Sequence, residues 1–479
     1  MKVTSPEELR ALFDAQGERR WQVAATGPAV RKAKLRQLRS AISERQEELY
    51  AALAQDFRKS AFEGWLTETY TSAAEINHTV KHLASWMKDK RVAGDLTLPF
   101  SSSVLRHEPK GRVLIMAPWN YPFQLLIAPL ASAVAAGNTV IAKPSNKTPA
   151  TSAFIASLIE GVFPKEEVAV VEGPGSVLGD ALLELPFDHV FFTGSPRIGA
   201  RVAEAAARVH AGVTLELGGK SPTILLPGAD VADAAAKIAW GKCLNAGQTC
   251  IAPDYLFCPR GSEAAFAAAF RRTVEKFYGK DEEARRASAD FPRIVDTAAC
   301  ERLRKLAEDA VAKGAKLELG GVFDAAERYA APTLLTGVTP GMSIMDEEIF
   351  GPILPVLSYD SVDEVLRFVN ARPKPLALYL FAADRKAADE LLARTTSGSA
   401  AVNNLIVQIT NPNVPFGGVG MSGTGNYHGH YGFRTFSHER NILRQGPLNL
   451  ASFFYPPYRG AVQKFMRGFL ERVSGSGRQ

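Results

Sequence analysis

The side chain best suited to covalent chemistry is the thiol of Cys250, in the stretch Asn245-Ala-Gly-Gln-Thr-Cys-Ile-Ala-Pro-Asp-Tyr255. It follows a Gly-centred polar turn and stands just before a proline. A nucleophilic cysteine needs a flexible approach, little steric cover and neighbours that stabilise its thiolate. Taken alone, such a thiol reads first as a buried structural residue. Glu216 interrupts the apolar run Val213-Thr-Leu-Glu-Leu217. A carboxyl there is either paired structurally or functional, because burying it unpaired is costly. Asn120, in Ala117-Pro-Trp-Asn-Tyr-Pro122, reads from its neighbours as a turn residue before Tyr-Pro.

Three Gly-rich stretches compete for a phosphate-binding role. Gly173-Pro-Gly-Ser-Val-Leu-Gly179 is one residue too long for the dinucleotide fingerprint and lacks the acidic residue that should follow, so it reads as a tight turn. Gly218-Gly-Lys-Ser221 imitates the end of a P-loop, but Thr214 stands where the leading glycine belongs. Phe192-Thr-Gly-Ser-Pro-Arg-Ile-Gly199 leaves a strand pattern and opens a helix pattern. Backbone N–H groups and a helix dipole there can face a pyrophosphate.

Taken in order, Ala117–Pro122, Thr214-Leu-Glu-Leu-Gly-Gly-Lys-Ser-Pro222, the Cys250 stretch, Glu347-Glu-Ile-Phe-Gly-Pro352 and Pro415-Phe-Gly-Gly-Val-Gly420 resemble the NAD(P)-dependent aldehyde dehydrogenase superfamily. The resemblance runs from about residue 106 to 438. It implies oxidation of aldehydes to carboxylic acids through a Cys250 thiohemiacetal and a thioester, with Glu216 as general base. Asn120 and the backbone N–H of Cys250 become the oxyanion donors. The resemblance places the cofactor on Lys143, Asn146, Thr193, Gly194, Ser195, Gly199, Leu217, Gly218, Glu348 and Phe350. Asn146 stands where NAD-preferring members commonly carry a glutamate; beside Lys143 and Lys147 it would not repel a 2′-phosphate, so NADP is expected to be accepted, alongside NAD. Arg372-Pro-Lys-Pro-Leu-Ala-Leu-Tyr379 and the segment 427–438 look like the class 3 branch, with fatty, benzaldehyde-type and coniferyl-type enzymes. Medium or long aliphatic or aromatic aldehydes are the expected substrates. Tyr121, Trp240 and a strand over 405–409 line an apolar tunnel on that reading, or are core. A CoA-acylating relative and a catalytically silent scaffold are the alternatives. Glu216 argues against the first, and the presence of Cys250, Asn120 and Glu216 against the second.

The elements that must hold these residues follow from pattern. Residues 6–57 and 61–86 carry apolar side chains three to four apart and read as helices. From Gly111, strand and helix patterns alternate: 112–117, 139–143, 168–171, 189–193 and 213–217 read as strands, with a helix over 123–136 and another opening at Thr148-Pro149. That predicts an α/β fold with a doubly wound parallel sheet. The expected organisation is a cofactor domain over 1–90 and 107–215 and a second α/β catalytic domain over 216–399. A small β oligomerisation element comprises 91–106 and 400–440, with a tail over 441–479. By resemblance the element implies a homodimer.

Composition narrows the class. With 479 residues the chain exceeds one ordinary core. Its 56 basic and 50 acidic residues are mixed along the chain, so the net charge of +6 marks no nucleic-acid partner. Cys243, Cys250, Cys258 and Cys300 form neither a disulfide framework nor a zinc-ligand spacing, and no metal is expected. Without an apolar leader or an apolar run of spanning length, the chain reads as cytoplasmic. The basic amphipathic stripe Ala461, Val462, Phe465, Met466, Phe469, Leu470 and Val473 is expected to pack on protein rather than on a membrane surface.

Overall fold

The computed structural model describes residues 3–94, 100–449, 452–453, 455–458 and 460–473. Its first sheet runs, in spatial order, Gly423–Thr424, Gly212–Leu217, His189–Gly194, Arg112–Met116, Thr139–Lys143 and Val168–Val170. The last five are parallel, and Gly423–Thr424 closes one edge antiparallel. Thr139–Lys143 is buried at every position, because helices cover both faces. Leu9 and Phe13 of the helix Pro6–Ala24 pack on one face with Leu114, Ile141 and Phe192. Helices Gln124–Ala136 and Pro149–Val162 cover the other.

Strand order reverses between Arg112–Met116 and His189–Gly194. Ligands of doubly wound sheets bind at such a switch point, beyond the carboxyl ends of the strands. The turn leaving the first strand carries Asn120, and the second strand ends in Thr193-Gly194, followed by Ser195. Gly137 ends Gln124–Ala136 with φ +91; a Cβ there would come within 2.4 Å of the Arg31 guanidinium carbon.

The second sheet runs Lys316–Leu319, Thr333–Thr336, Ile353–Tyr359, Tyr255–Pro259, Pro222–Leu225, Ala377–Phe381 and Ser399–Val402. A third, outlying sheet pairs Lys90–Val92 with Ser101–Pro109, and Ser101–Pro109 with Ser437–Gln445, all antiparallel. The β element expected over 91–106 thus contributes two paired strands, and its residues 95–99 lie outside the described ones.

Four expectations are corrected. The strand expected over 405–409 does not form; extended structure ends at Val402, in the strand Ser399–Val402 on the edge of the second sheet. Asn403 turns left-handed (φ +56), and its side-chain amide bonds to Ala382 N and O, capping the sheet edge instead of extending it. Leu405 then packs inward against the bare face of Gly241, and Val407–Thr410 forms a 3₁₀ turn. The tight turn expected over 173–179 is confined to Gly173 and Pro174, since Leu178 and Leu182, four apart, bury one face of a helix over Gly175–Glu184. The helix Ala61–Trp86 is interrupted by a π-helical turn, Trp65–Thr69. The tail stripe does form a helix, Ala461–Val473. Phe465 is 72% exposed, however, and none of the helix's described side chains is buried, so the expected packing is not made within this chain. No described helix is long and apolar enough to cross a membrane.

Candidate active site

Helix Val231–Cys243 runs into the turn that presents Cys250. Asn245, Ala246 and Gly247 are consecutively left-handed, with φ of +52, +52 and +73. Only glycine fits at 247, where a Cβ would lie 2.3 Å from Gly351 O. Ala246 holds a conformation that a Cβ disfavours, so its surroundings must impose it. Gln248 does much of this: its fully buried amide donates to Asn245 O (2.9 Å) and Arg293 O (3.1 Å) and accepts from Val295 N (2.8 Å). Gln248 was not among the expected site residues; its signal is a glutamine between a Gly turn and the Thr249-Cys-Ile-Ala252 run, where a buried amide must find partners.

Two tyrosines pin the loop on either side of the thiol. Tyr121 Oη bonds Thr249 Oγ1 at 2.6 Å, and Tyr379 Oη donates to Ile251 O at 2.7 Å. Tyr121 thus has a holding role that the tunnel-or-core alternatives did not include. Trp240 and Ile409 are half-buried against the main core, with Leu405 inside it. Cys250 itself is half-buried, whereas Cys243, Cys258 and Cys300 are buried.

Asn120 is 3% exposed and donates from Nδ2 to Gln248 O at 3.1 Å. Asn245 Nδ2 donates to Asn120 O (2.8 Å) and to Gln248 O (3.1 Å). The two turns are thereby locked together.

Glu216 lies one residue before the carboxyl end of the strand Gly212–Leu217, paired in register with Thr193 and Gly423. It is 3% exposed, and among the described residues neither carboxyl oxygen has a hydrogen-bond partner. Burial drives its pKa well above the ordinary carboxyl value. The Cys250 thiol is raised as well, first by burial and then by Glu348 and Glu216; the N–H groups of Cys250 and Ile251 pull the other way. A desolvated carboxyl of raised pKa is a stronger proton acceptor than an ordinary glutamate, which suits a base acting on a thiol.

The proposed cofactor residues gather around the switch point. Thr193 Oγ1 is buried without a partner among the described residues, Gly194 follows it, and exposed Ser195 opens the 13-residue helix Pro196–Arg208. Gly199 lets that helix close on Leu217, whose Cδ2 would be 2.7 Å from an added Cβ. Gly218 faces Glu348, whose Oε2 would be 2.0 Å from a Cβ. Desolvation lifts the Glu348 carboxyl to about 8, with Asp254 adding to the rise and the Gly219 amide, Lys220 and Lys242 opposing it. Lys220 ties the motif down by donating to Ile344 O and Glu347 O at 2.9 and 2.7 Å. Phe350 is left-handed (φ +51), rare for so bulky a residue, and meets Trp119 edge-on at 5.2 Å. Lys143 is buried, which lowers its pKa, and donates to Pro144 O. Asn146 is exposed beside it. Lys147, expected as a second free cation there, is instead paired with Asp296 at 2.7 Å. An orphaned hydroxyl, Thr193 Oγ1, and the N-terminus of the helix Pro196–Arg208 fit a dinucleotide pyrophosphate. Among the described residues no group of three or more His, Cys, Asp or Glu could hold a metal ion.

Residues 2–442 match the model of the aldehyde dehydrogenase family. The chain belongs to that family. It is an NAD(P)-dependent aldehyde dehydrogenase, oxidising aldehydes to carboxylic acids. Similar proteins include a probable coniferyl aldehyde dehydrogenase of Pseudomonas aeruginosa, 39% identical over 96% of this chain and 95% of that one. Aldehyde dehydrogenase family 3 member B1 of Homo sapiens is 41% identical over 94% of each chain. Among solved structures, the substrate-bound Staphylococcus aureus AldH superposes with a TM-score of 0.92 at 39% identity, covering 98% of this dehydrogenase and 100% of that chain.

Proposed function

We propose that Cys250 is the nucleophile of this dehydrogenase, Glu216 its general base, and Asn120 with the Cys250 N–H its oxyanion donors. The observation that supports the assignment most directly is Glu216, a buried carboxyl with no hydrogen-bond partner among the described residues, which also raises the Cys250 thiol. Glu216 accepts the proton as Cys250 Sγ bonds to the aldehyde carbon, and the carbonyl oxygen takes the displaced electron pair as an oxyanion. The Asn120 amide and the Cys250 N–H stabilise that charge from fixed positions. NAD(P)⁺, when bound, supplies the hydride acceptor that makes this carbon an acyl group. Glu216 releases the first proton to solvent and then draws one from water, whose oxygen adds to the thioester carbon; the C–S bond breaks, the sulfur leaves as the Cys250 thiolate and the carboxylic acid departs.

The substrates proposed are medium or long aliphatic or aromatic aldehydes. The apolar surroundings of Trp240 and Ile409 and the relative named for coniferyl aldehyde support this choice. Asn146 supports acceptance of NADP. The outlying sheet Lys90–Val92, Ser101–Pro109 and Ser437–Gln445 is the proposed contact of a homodimer.

The assignment is tested by following reduced-cofactor formation with a panel of aliphatic and aromatic aldehydes, offered NAD or NADP, for the parent and Cys250→Ala. Turnover by the parent and none by the variant is expected. Turnover that survives in Cys250→Ala would remove the thiol from the mechanism.

A further inference from the structure

Two buried carboxylates take no part in the chemistry above, yet each reaches a turn that carries it. In an α-helix, residues five apart point about 140° away from each other. The π-helical turn Trp65–Thr69 adds a residue to one turn, and leaves both Glu63 and Glu68 facing inward, 9% and 0% exposed. Such insertions recur at functional sites. Glu63 Oε1 accepts the N–H of Asn245 at 2.9 Å. Glu68 Oε2 accepts the N–H groups of Phe123 and Gln124 at 3.2 and 2.8 Å, just after the Asn120 turn. Lys59 Nζ, also buried, pairs with Glu68 Oε1 at 3.3 Å and lies 4.7 Å from the Tyr121 ring centre.

The Glu63 contact continues into the oxyanion site. Asn245, held by Glu63 in its left-handed conformation, donates to Asn120 O and Gln248 O, and the second carbonyl also receives Asn120 Nδ2. One residue therefore sets both the main chain of Asn120 and the acceptor that orients its amide. A donor aimed at a developing oxyanion must be held to about half an ångström.

We propose that Glu63 and Asn245 are positioning residues of the oxyanion site: Glu63 holds the Asn245 turn, and Asn245 aligns the Asn120 amide with the thiol loop. Lys59 and Glu68 brace the other side of the same site, at the start of helix Gln124–Ala136. The inference rests on the assignment of Asn120 as an oxyanion donor.

Aldehyde turnover develops an oxyanion, whereas alkylation of Cys250 by iodoacetamide forms a C–S bond with loss of iodide and develops none. Both rates are measured for the parent, Glu63→Ala, Glu63→Gln, Asn245→Gly and Asn120→Ala. Glu63→Ala and Asn245→Gly should lower kcat by about tenfold to a hundredfold, with little change in the alkylation rate. Glu63→Gln keeps an acceptor oxygen and should restore most of kcat. Asn245→Gly retains a residue at ease with positive φ, so it reports even if Glu63→Ala fails to fold. Loss of turnover and alkylation together in both variants would reduce the network to a structural role and overturn the proposal. Parental kcat in Glu63→Ala and Asn245→Gly, with Asn120→Ala slowed, would overturn this inference alone. Parental kcat in Asn120→Ala would remove the donor assignment beneath it.

Discussion

Asn120 Nδ2 donates to the carbonyl of Gln248 at 3.1 Å, two residues before Cys250. That bond sets which end of the amide faces the thiol loop and leaves a second N–H hydrogen to be directed elsewhere. Asn120 and Cys250, the proposed donor and nucleophile, are thus tied to one peptide segment, and movement of either turn carries the other with it.

Asn120→Ala should lower kcat by about a hundredfold to a thousandfold, or roughly 3 to 4 kcal/mol of transition-state stabilisation. Binding of the cofactor, read by fluorescence titration, should be unchanged, because Asn120 is not among the proposed cofactor contacts. A fall in cofactor affinity as large as the fall in kcat would contradict this division of roles.

As the proposed base, Glu216 is expected to set the pH response. Burial raises its pKa, so the carboxylate needed as base is depleted at a pH where an ordinary glutamate is fully ionised. Activity should therefore climb with pH above the range in which an ordinary glutamate ionises. Glu216→Gln should lower turnover sharply and flatten that climb. A variant profile parallel to the parental one would assign the ionisation to another group.

Gly218→Ala should disturb the cofactor site through Glu348. The new methyl would lie 2.0 Å from Glu348 Oε2, so the carboxyl must swing away. Overpacking of this kind costs about 1–3 kcal/mol, and KM for NAD(P) should rise on the order of tenfold. Steady-state titration of the cofactor at saturating aldehyde reads the effect, and an unaltered KM would detach Glu348 from cofactor binding.

Asn146→Glu should move preference toward NAD by placing a carboxylate near a 2′-phosphate. Because Lys147 is engaged by Asp296, the cation left to favour that phosphate is Lys143. The ratio of kcat/KM for NADP to that for NAD should drop by about tenfold or more, the scale of one poorly solvated charge contact. An unchanged ratio would sink the explanation based on Asn146.

The local alphabet of the chain determined a good deal. Continuous apolar runs marked the buried strands Arg112–Met116 and Thr139–Lys143, and Gly137 marked a helix end, because burial on both faces and positive φ are demands that single residues register. Cys250, Glu216 and Asn120 were visible as residue types out of keeping with their neighbours or matching a family motif. Folding alone decided how they cooperate. The strand expected beyond Val402 was lost to an Asn403 amide that bonds to Ala382, twenty-one residues earlier, and the lysine expected near the cofactor was taken by Asp296. Glu63 and Glu68, spaced wrongly for one α-helical face, were turned inward together by a π-helical turn. Periodicity reports which face of an element is buried, but hydrogen bonds between residues 125 to 182 positions apart, such as Asn245 to Asn120 and to Glu63, exist only once the sheets have brought those turns together.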